Sequence, residues 1–448
     1  MPRQADNRLT VFTWMPIVCF HPDQIKYHGL HKTQSGSNLM DVSRREFIGM
    51  VSATAAAGLA CGDNPGTEET VPTPPGDDPL NIRKDFPVVY NSVYLNSPYI
   101  TPSPQPAVNA AKEFLDRKAS DPVMLGDMLG VETATRQKFA RLVGASEGEI
   151  GILSATSEGE NIVTSSIGLK RGDNIVIDDL HYNTTYVLYN HLARELGIEV
   201  RTVKNEDGAA LPEAFEKLVD GRTRLISIAW VSHQNGYCHD LKALADIAHA
   251  RNAYLYADAI QGVGMLALDV KDTGVDFLTA GTYKWLLGGF GAAPFYVSES
   301  VMDRIQPDRI GWRNVVDEKA DEIELHSDAR KFGFATPAFG PLYQLSAGLD
   351  YLLNVGVENI ERHAVGLAHS LHQGLMDQGF KLKTPAGNRS ATLAFEHGAD
   401  PEAAKKSLDD AKIKVSLREG GSQIRAGVAL FNNKQDVEAL LDITGTWG

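Results

Sequence analysis

The chain has 448 residues, 43% of them apolar and 22% charged, so it is long enough for two domains and too apolar for wholesale disorder. A net charge of -14 argues against nucleic acid or an anionic membrane surface as a partner. Three cysteines without paired spacing (Cys19, Cys61, Cys238) indicate neither a disulfide framework nor a metal site, and no apolar run is long enough for a membrane span.

Residues 1–80 read as an address followed by a tether. Ser43-Arg-Arg-Glu-Phe-Ile-Gly, followed by the weakly apolar run Phe47 to Ala60, has the form of a twin-arginine export signal. It predicts a periplasmic protein, or a lipid-anchored one if Cys61 in Gly58-Leu-Ala-Cys is modified. Without the signal the protein would be cytoplasmic. Met40 competes with Met1 as the start of translation. Gly62 to Pro79, rich in Pro, Gly, Asp, Glu and Thr, has too little to bury and predicts an extended tether.

Residues 81–110 form an N-terminal segment expected to pack with a small domain. Over 111–338, short apolar runs alternate with helical patterns, which predicts a large α/β domain with a mostly parallel sheet covered on both faces. Ile175-Val-Ile-Asp, Leu225 to Val231, Tyr254-Leu-Tyr-Ala and Phe277-Leu-Thr-Ala read as buried strands. Pro212 to Val219 and Leu241 to Ala250 read as helices, the second opened by Asp240 as N-cap. Polar residues follow the strand ends: Asp178 and His181, His233 and Gln234, Asp258 and Gln261, then Lys284. Ligands of open α/β sheets collect at the carboxyl ends of strands, so these residues should meet in one crevice. From 339 to 448 a smaller α+β domain is expected, with helices over Leu342 to Leu353 and Val357 to Leu375. Lys412-Ile-Lys-Val-Ser-Leu and Ile424-Arg-Ala-Gly-Val read as its strands.

Three segments together resemble a known family. They are Trp230-Val-Ser-His-Gln-Asn-Gly, Tyr254-Leu-Tyr-Ala-Asp-Ala-Ile-Gln-Gly-Val-Gly and Val275-Asp-Phe-Leu-Thr-Ala-Gly-Thr-Tyr-Lys-Trp-Leu. The chain is similar to the class V aminotransferases, pyridoxal-phosphate enzymes that include cysteine desulfurases, selenocysteine lyase, kynureninase and isopenicillin N epimerase-like proteins. The match runs from Tyr94-Leu-Asn through Arg425 to the C-terminus. It implies the fold-type I architecture and pyridoxal 5'-phosphate as cofactor.

The resemblance also implies roles, residue by residue. Lys284 matches the Schiff-base lysine, a primary amine that can also act as base at the substrate's α-carbon. Asp258 matches the carboxylate that keeps the pyridine nitrogen protonated. His181, in Asp178-Asp-Leu-His-Tyr-Asn, matches the residue stacked on the cofactor ring, with Tyr182 as a rival and Asn183 supporting the ring edge. Gln261 is placed to reach the ring hydroxyl. Ala155 and Thr156 match the phosphate loop; Ser157 and Glu160 have capping-box spacing, which sets those amides at a helix N-terminus. Tyr283 would add its hydroxyl to the phosphate, as in kynureninase, whereas Gly281 stands where desulfurases have serine. Thr336, in Phe334-Ala-Thr-Pro, would reach the partner's phosphate, implying a homodimer with shared sites. Arg425 matches the arginine that holds the substrate carboxylate, with Asn96 bordering the substrate and His233 and Arg418 in the pocket wall.

An aminotransferase-type reaction on a small amino acid is expected, through a carbanion at the α-carbon. C–S lyase activity and isopenicillin N epimerase-like racemisation are the alternatives, and a non-catalytic cofactor-binding protein is a reading from another class. Ser416-Leu-Arg-Glu-Gly-Gly-Ser-Gln, ahead of Arg425, contains no cysteine, which argues against a persulfide-forming desulfurase.

Overall fold

The computed structural model describes residues 73–447. The twin-arginine-type signal, Cys61 and both candidate starts lie outside the described residues. The end of the expected tether is irregular but anchored, because Asn433 Nδ2 donates to the carbonyls of Asp77 (2.9 Å) and Pro75 (3.4 Å).

Strand β1 (Val93–Tyr94) precedes two helices, α1 (Gln105–Ser120) and α2 (Leu125–Val143). The chain then alternates through β2 (Ile150–Leu153), α3 (Thr156–Ser166), β3 (Asn174–Asp178), α4 (Asn183–Leu196) and β4 (Glu199–Val203). After the short α5 (Pro212–Glu216) come β5 (Thr223–Ala229), α6 (Leu241–His249), β6 (Tyr254–Asp258), β7 (Phe277–Thr279) and β8 (Ala293–Val297). Strands β2 to β8 form one sheet in the order β2-β8-β7-β6-β5-β3-β4. It is parallel except for β8, which runs against both neighbours. The four foreseen strands are therefore β3, β5, β6 and β7. Their near-continuous apolar sequences reflect burial on both faces, Ile175, Leu225, Ile226, Leu255 and Leu278 all being inaccessible to solvent.

Asp240 caps α6 as expected, its carboxylate accepting from the Ala243 amide at 3.0 Å. Helix α5 is shorter than the expected run to Val219. The chain turns at Asp220, whose carboxylate accepts from the Arg222 amide and pairs with Arg201. The order of strands reverses between β3 and β5: the chain leaves β3 outward to β4, then returns to β3's other side. Such a reversal opens a crevice at the carboxyl ends.

Two longer helices follow, α7 (Phe339–Val355) and α8 (Val357–Asp377). Beyond them β9 (Lys381–Leu382), β10 (Thr392–Glu396), α9 (Pro401–Asp410), β11 (Ile413–Lys414), β12 (Ser416–Arg418), β13 (Gln423–Gly427) and α10 (Lys434–Thr444) complete the described chain. A four-stranded antiparallel sheet has the order β12-β13-β10-β9. The strand expected over 412–417 is in fact two. Partners change at Val415: β11 pairs in parallel with β1, whereas β12 pairs with β13.

Candidate active site

The carboxyl ends of β5, β6 and β7 and the start of α3 enclose a cavity of about 310 Å³. Ala155, Thr156, His233, Asp258, Gln261, Tyr283 and Lys284 all line it. Lys284 follows β7 on a loop that turns sharply, the Leu287 amide donating to the Lys284 carbonyl at 2.9 Å. Leu287 itself takes φ +60°, a left-handed conformation that costs a branched residue roughly 1 kcal/mol. Its side chain is fully buried, so packing holds that turn.

Both charge-bearing groups of the cavity are shielded from water, Lys284 being 8% and Asp258 7% exposed. Burial pushes the lysine down to about 8, against the opposing pull of Asp258. Burial likewise pushes the Asp258 carboxyl up to about 6, although the Ile260 amide donates to it at 3.0 Å. Desolvation thus brings an amine and an acid within reach of neutral pH in one pocket.

At the other side of the cavity, α3 begins at Thr156 with Ala155 as N-cap and no side chain closing its end. The expected capping box between Ser157 and Glu160 does not form. Glu158 folds back instead, accepting from the Ser154 amide (2.8 Å) and hydroxyl (2.6 Å), and Glu160 turns inward. The helix end therefore points uncapped amides into the cavity, a natural seat for an anion. Gly281 is forced by close approach. Its amide donates to Thr156 Oγ1 at 2.9 Å, and a Cβ there would stand 2.8 Å from Ile260 Cδ1 and 3.0 Å from that hydroxyl.

Other expected residues are placed less directly. Gln261 is already engaged: its Nε2 donates to the Pro98 carbonyl (2.8 Å) and its Oε1 accepts from Trp285 Nε1 (3.0 Å). Tyr283 stacks on Phe290, with ring centroids 4.4 Å apart. Asn183 is not brought into the cavity. It is the exposed first residue of α4, and the helix start turns Tyr182 and Thr184 inward in its place. His181 is wholly buried behind the lining, its Nδ1 accepting the Tyr182 amide at 2.7 Å and its Nε2 lying 3.2 Å from Ser227 Oγ. Asp178 faces away from the crevice and pairs with His239 at 2.8 Å. Gln234 likewise turns aside, donating to the Asp179 carbonyl. Thr336 is exposed on a neighbouring cavity, which shares Ser154 and Gly291 with the first.

Arg425 and Asn96 are brought together. Arg425 Nη1 donates to the His233 carbonyl at 2.6 Å and Nη2 to Ser416 Oγ at 3.2 Å, while that hydroxyl donates to Asn96 Oδ1 at 2.5 Å. Arg418 shares the His233 carbonyl at 3.0 Å. Burial, aided by Arg418, lowers the Arg425 guanidinium to about 10. Burial and then both arginines push His233 down to about 3, so its ring is neutral. Arg425 Nε and His233 Nδ1 are buried without a hydrogen-bond partner, two polar atoms that a carboxylate could satisfy. Cys238 lines a different cavity, with Trp230 and Arg389, and burial pushes its thiol up to about 12.

Three comparisons bear on this geometry. The family model described as Aminotransferase class-V matches residues 93–440. The chain is 28% identical over 384 residues to the "Probable cysteine desulfurase" of Methanothermobacter thermautotrophicus, covering 80% of this chain and 96% of that protein. It is 26% identical over 365 residues to an "Uncharacterized aminotransferase" of Bacillus subtilis, covering 81% of this chain and 96% of the relative. Among solved structures, the apo cysteine desulfurase from Thermococcus onnurineus superposes with a TM-score of 0.74 at 25% identity, over 84% of this chain and 99% of that one.

Proposed function

The chain belongs to the class-V aminotransferase family of pyridoxal 5'-phosphate enzymes, with their fold-type I architecture, and from that premise we propose that it transaminates a small amino acid, with Lys284 holding the cofactor. The observation that carries this reading is the buried pair Lys284 and Asp258 on one cavity. The cavity fits the cofactor on chemistry. Uncapped amides at Ala155 and Thr156 suit a phosphate dianion, Asp258 suits a protonated ring nitrogen, and the unpartnered Nδ1 of His233, as a donor, suits a substrate carboxylate; Arg425, bonded to the His233 carbonyl, stands outside the lining.

When bound, the cofactor supplies an electron sink for the substrate's α-carbon. Lys284 would hold it covalently, and its amine, brought down by burial, would take the α-proton. Asp258 would keep a proton on the ring nitrogen. Arg425 would fix the substrate carboxylate and so aim the α-hydrogen at Lys284, with Asn96 steadying the guanidinium through Ser416. Tyr283 would add its hydroxyl to the phosphate, and His181 would back the ring. A homodimer completed by Thr336 and export through the twin-arginine-type signal belong to the same reading.

A second reading, cleavage of a C–S bond, is favoured by the relatives named as cysteine desulfurases. Its persulfide-forming version has the names of those relatives behind it but no thiol at the cavity: among the described residues Cys238 is the only cysteine, and it lines a different cavity. Elimination needs no thiol, so a lyase remains compatible with the site. An amino-acid panel monitored for spectrum and products separates the readings. Transamination yields a keto acid that retains the side chain and leaves pyridoxamine phosphate on the protein. Pyruvate with a released thiol establishes the lyase instead. Colourless protein with no borohydride-fixed adduct on Lys284 defeats both, and yellow protein inert to the panel is a binder without catalysis.

A further inference from the structure

One buried acid close to the site has no part in that scheme. Glu160, in α3, is 4% exposed and lies among α3, α4 and β5. Its Oε1 accepts from Ser227 Oγ at 2.8 Å and its Oε2 lies 3.0 Å from Thr185 Oγ1. Each hydroxyl also reaches one nitrogen of His181: Ser227 Oγ lies 3.2 Å from Nε2, and Thr185 Oγ1 lies 3.2 Å from Nδ1. One carboxyl and one imidazole are thereby closed into a ring through two hydroxyls, with Oε1 and Nε2 3.8 Å apart.

The ring admits two hydrogen patterns with the same number of protons. In one, Glu160 is a carboxylate that accepts from both hydroxyls, and His181 is an imidazolium donating from both nitrogens. In the other, Glu160 Oε2 donates to Thr185, the Thr185 hydroxyl donates to Nδ1, Nε2–H donates to Ser227, and Ser227 donates to Oε1. The Tyr182 amide decides between them. Its N–H points at Nδ1 from 2.7 Å, which requires a lone pair there and rules out an N–H. The ring is then neutral with its hydrogen on Nε2, and any proton the pair holds beyond that one belongs to Glu160. Burial acts in the same sense, pushing Glu160 up to about 7 and His181 down to about 4. The groups facing this pair are Tyr189 from α4, Tyr256 and Asp258 from β6, Asp178 at the end of β3, and His233 and His239 after β5.

We propose that Glu160, acting through Thr185 and Ser227, is a positioning residue that stores a proton behind His181 and so fixes the neutral, Nε2-protonated form of that imidazole at the back of the cofactor site. The proposal rests on the reading of His181 as the residue behind the cofactor ring. Above the point where Glu160 loses its proton, the Thr185 hydroxyl turns to the carboxylate and leaves Nδ1 to the Tyr182 amide alone. That change is visible at His181 without any change in the ring's charge.

The test is a pH titration of the full-length holoprotein labelled with 15N-histidine, with His181→Gln used to identify the His181 signals. The expected result is a neutral Nε2–H ring throughout, with an inflection of the Nδ1 shift near pH 7. The inflection should vanish in Glu160→Gln and in Thr185→Val and persist in Thr185→Ser. A ring that becomes imidazolium near neutral pH overturns the proposal, as does an inflection that survives Glu160→Gln. Should that variant not fold, the Thr185 pair gives the same decision. Failure of the underlying reading looks different: His181→Gln holoprotein would keep the wild-type visible band and turnover, whatever the titration shows.

Discussion

At the scale of single residues, Asp258 carries a cost that its function explains. Its carboxyl is raised above 3.8 to about 6 in the fold, so between those values the folded apoprotein holds a proton that the unfolded chain has released. Stability of the apoprotein therefore falls as pH rises through that window, and the penalty persists at neutral pH. We expect apo Asp258→Asn to be more stable than wild type at pH 7 by roughly 1–3 kcal/mol, and to bind the cofactor more weakly. Urea melts of the two apoproteins check this, and a less stable variant would contradict the assignment of Asp258 as a strained, functional acid. Lys284 has the opposite slope. Its amine is depressed from 10.5 to about 8, so its penalty is relieved as pH rises between those values. Both residues were legible in the sequence, because three flanking segments reproduce a family pattern. Glu160 was not. Its spacing from Ser157 is that of a capping box, and only the packing of α3 against β5 and α4 shows that its carboxyl turns inward.

Among the elements, α3 is the one whose weak end serves the site. Ala155 has extended backbone angles suited to an N-cap (φ -155°, ψ 156°) but offers no side chain to close the helix. Ala155→Asp should raise apoprotein stability by about 1 kcal/mol through capping. The same carboxylate would repel the cofactor's phosphate and weaken its binding, on the order of tenfold. Thermal melts of the apoprotein and an absorbance titration with pyridoxal phosphate measure the two effects. Tighter cofactor binding in the variant would remove the phosphate from this helix end. Strands β3, β5, β6 and β7 were readable because each is an apolar run with polar residues just beyond its end; β2, β4 and β8 were not read. The break between β11 and β12 was not, since it depends on two partners, β1 and β13, of which β1 is some three hundred residues away in sequence.

For the whole described chain, two of the ties that fasten the N-terminal segment lie far apart. Arg83 is 2% exposed, and its Nη1 donates to the Phe431 carbonyl (2.5 Å) and to Asp436 Oδ2 (2.9 Å) at the start of α10. Removing one partner of a buried ion pair strands the other, so Arg83→Ala should cost roughly 3–5 kcal/mol in urea unfolding. A loss below about 1 kcal/mol would show this tie to be no stronger than a surface pair. The second fastening is Gln261, which holds the Pro98 carbonyl with one end and the Trp285 indole with the other. Trp285 adjoins Lys284 and is 3% exposed, so its emission is set by a dry pocket and by that single bridge. Nature has thus wired an optical gauge into the molecule. Peeling back the turn around Pro98 would release Gln261, loosen the indole and shift its fluorescence, so that a change just beyond the first strand is read out at the residue next to the lysine.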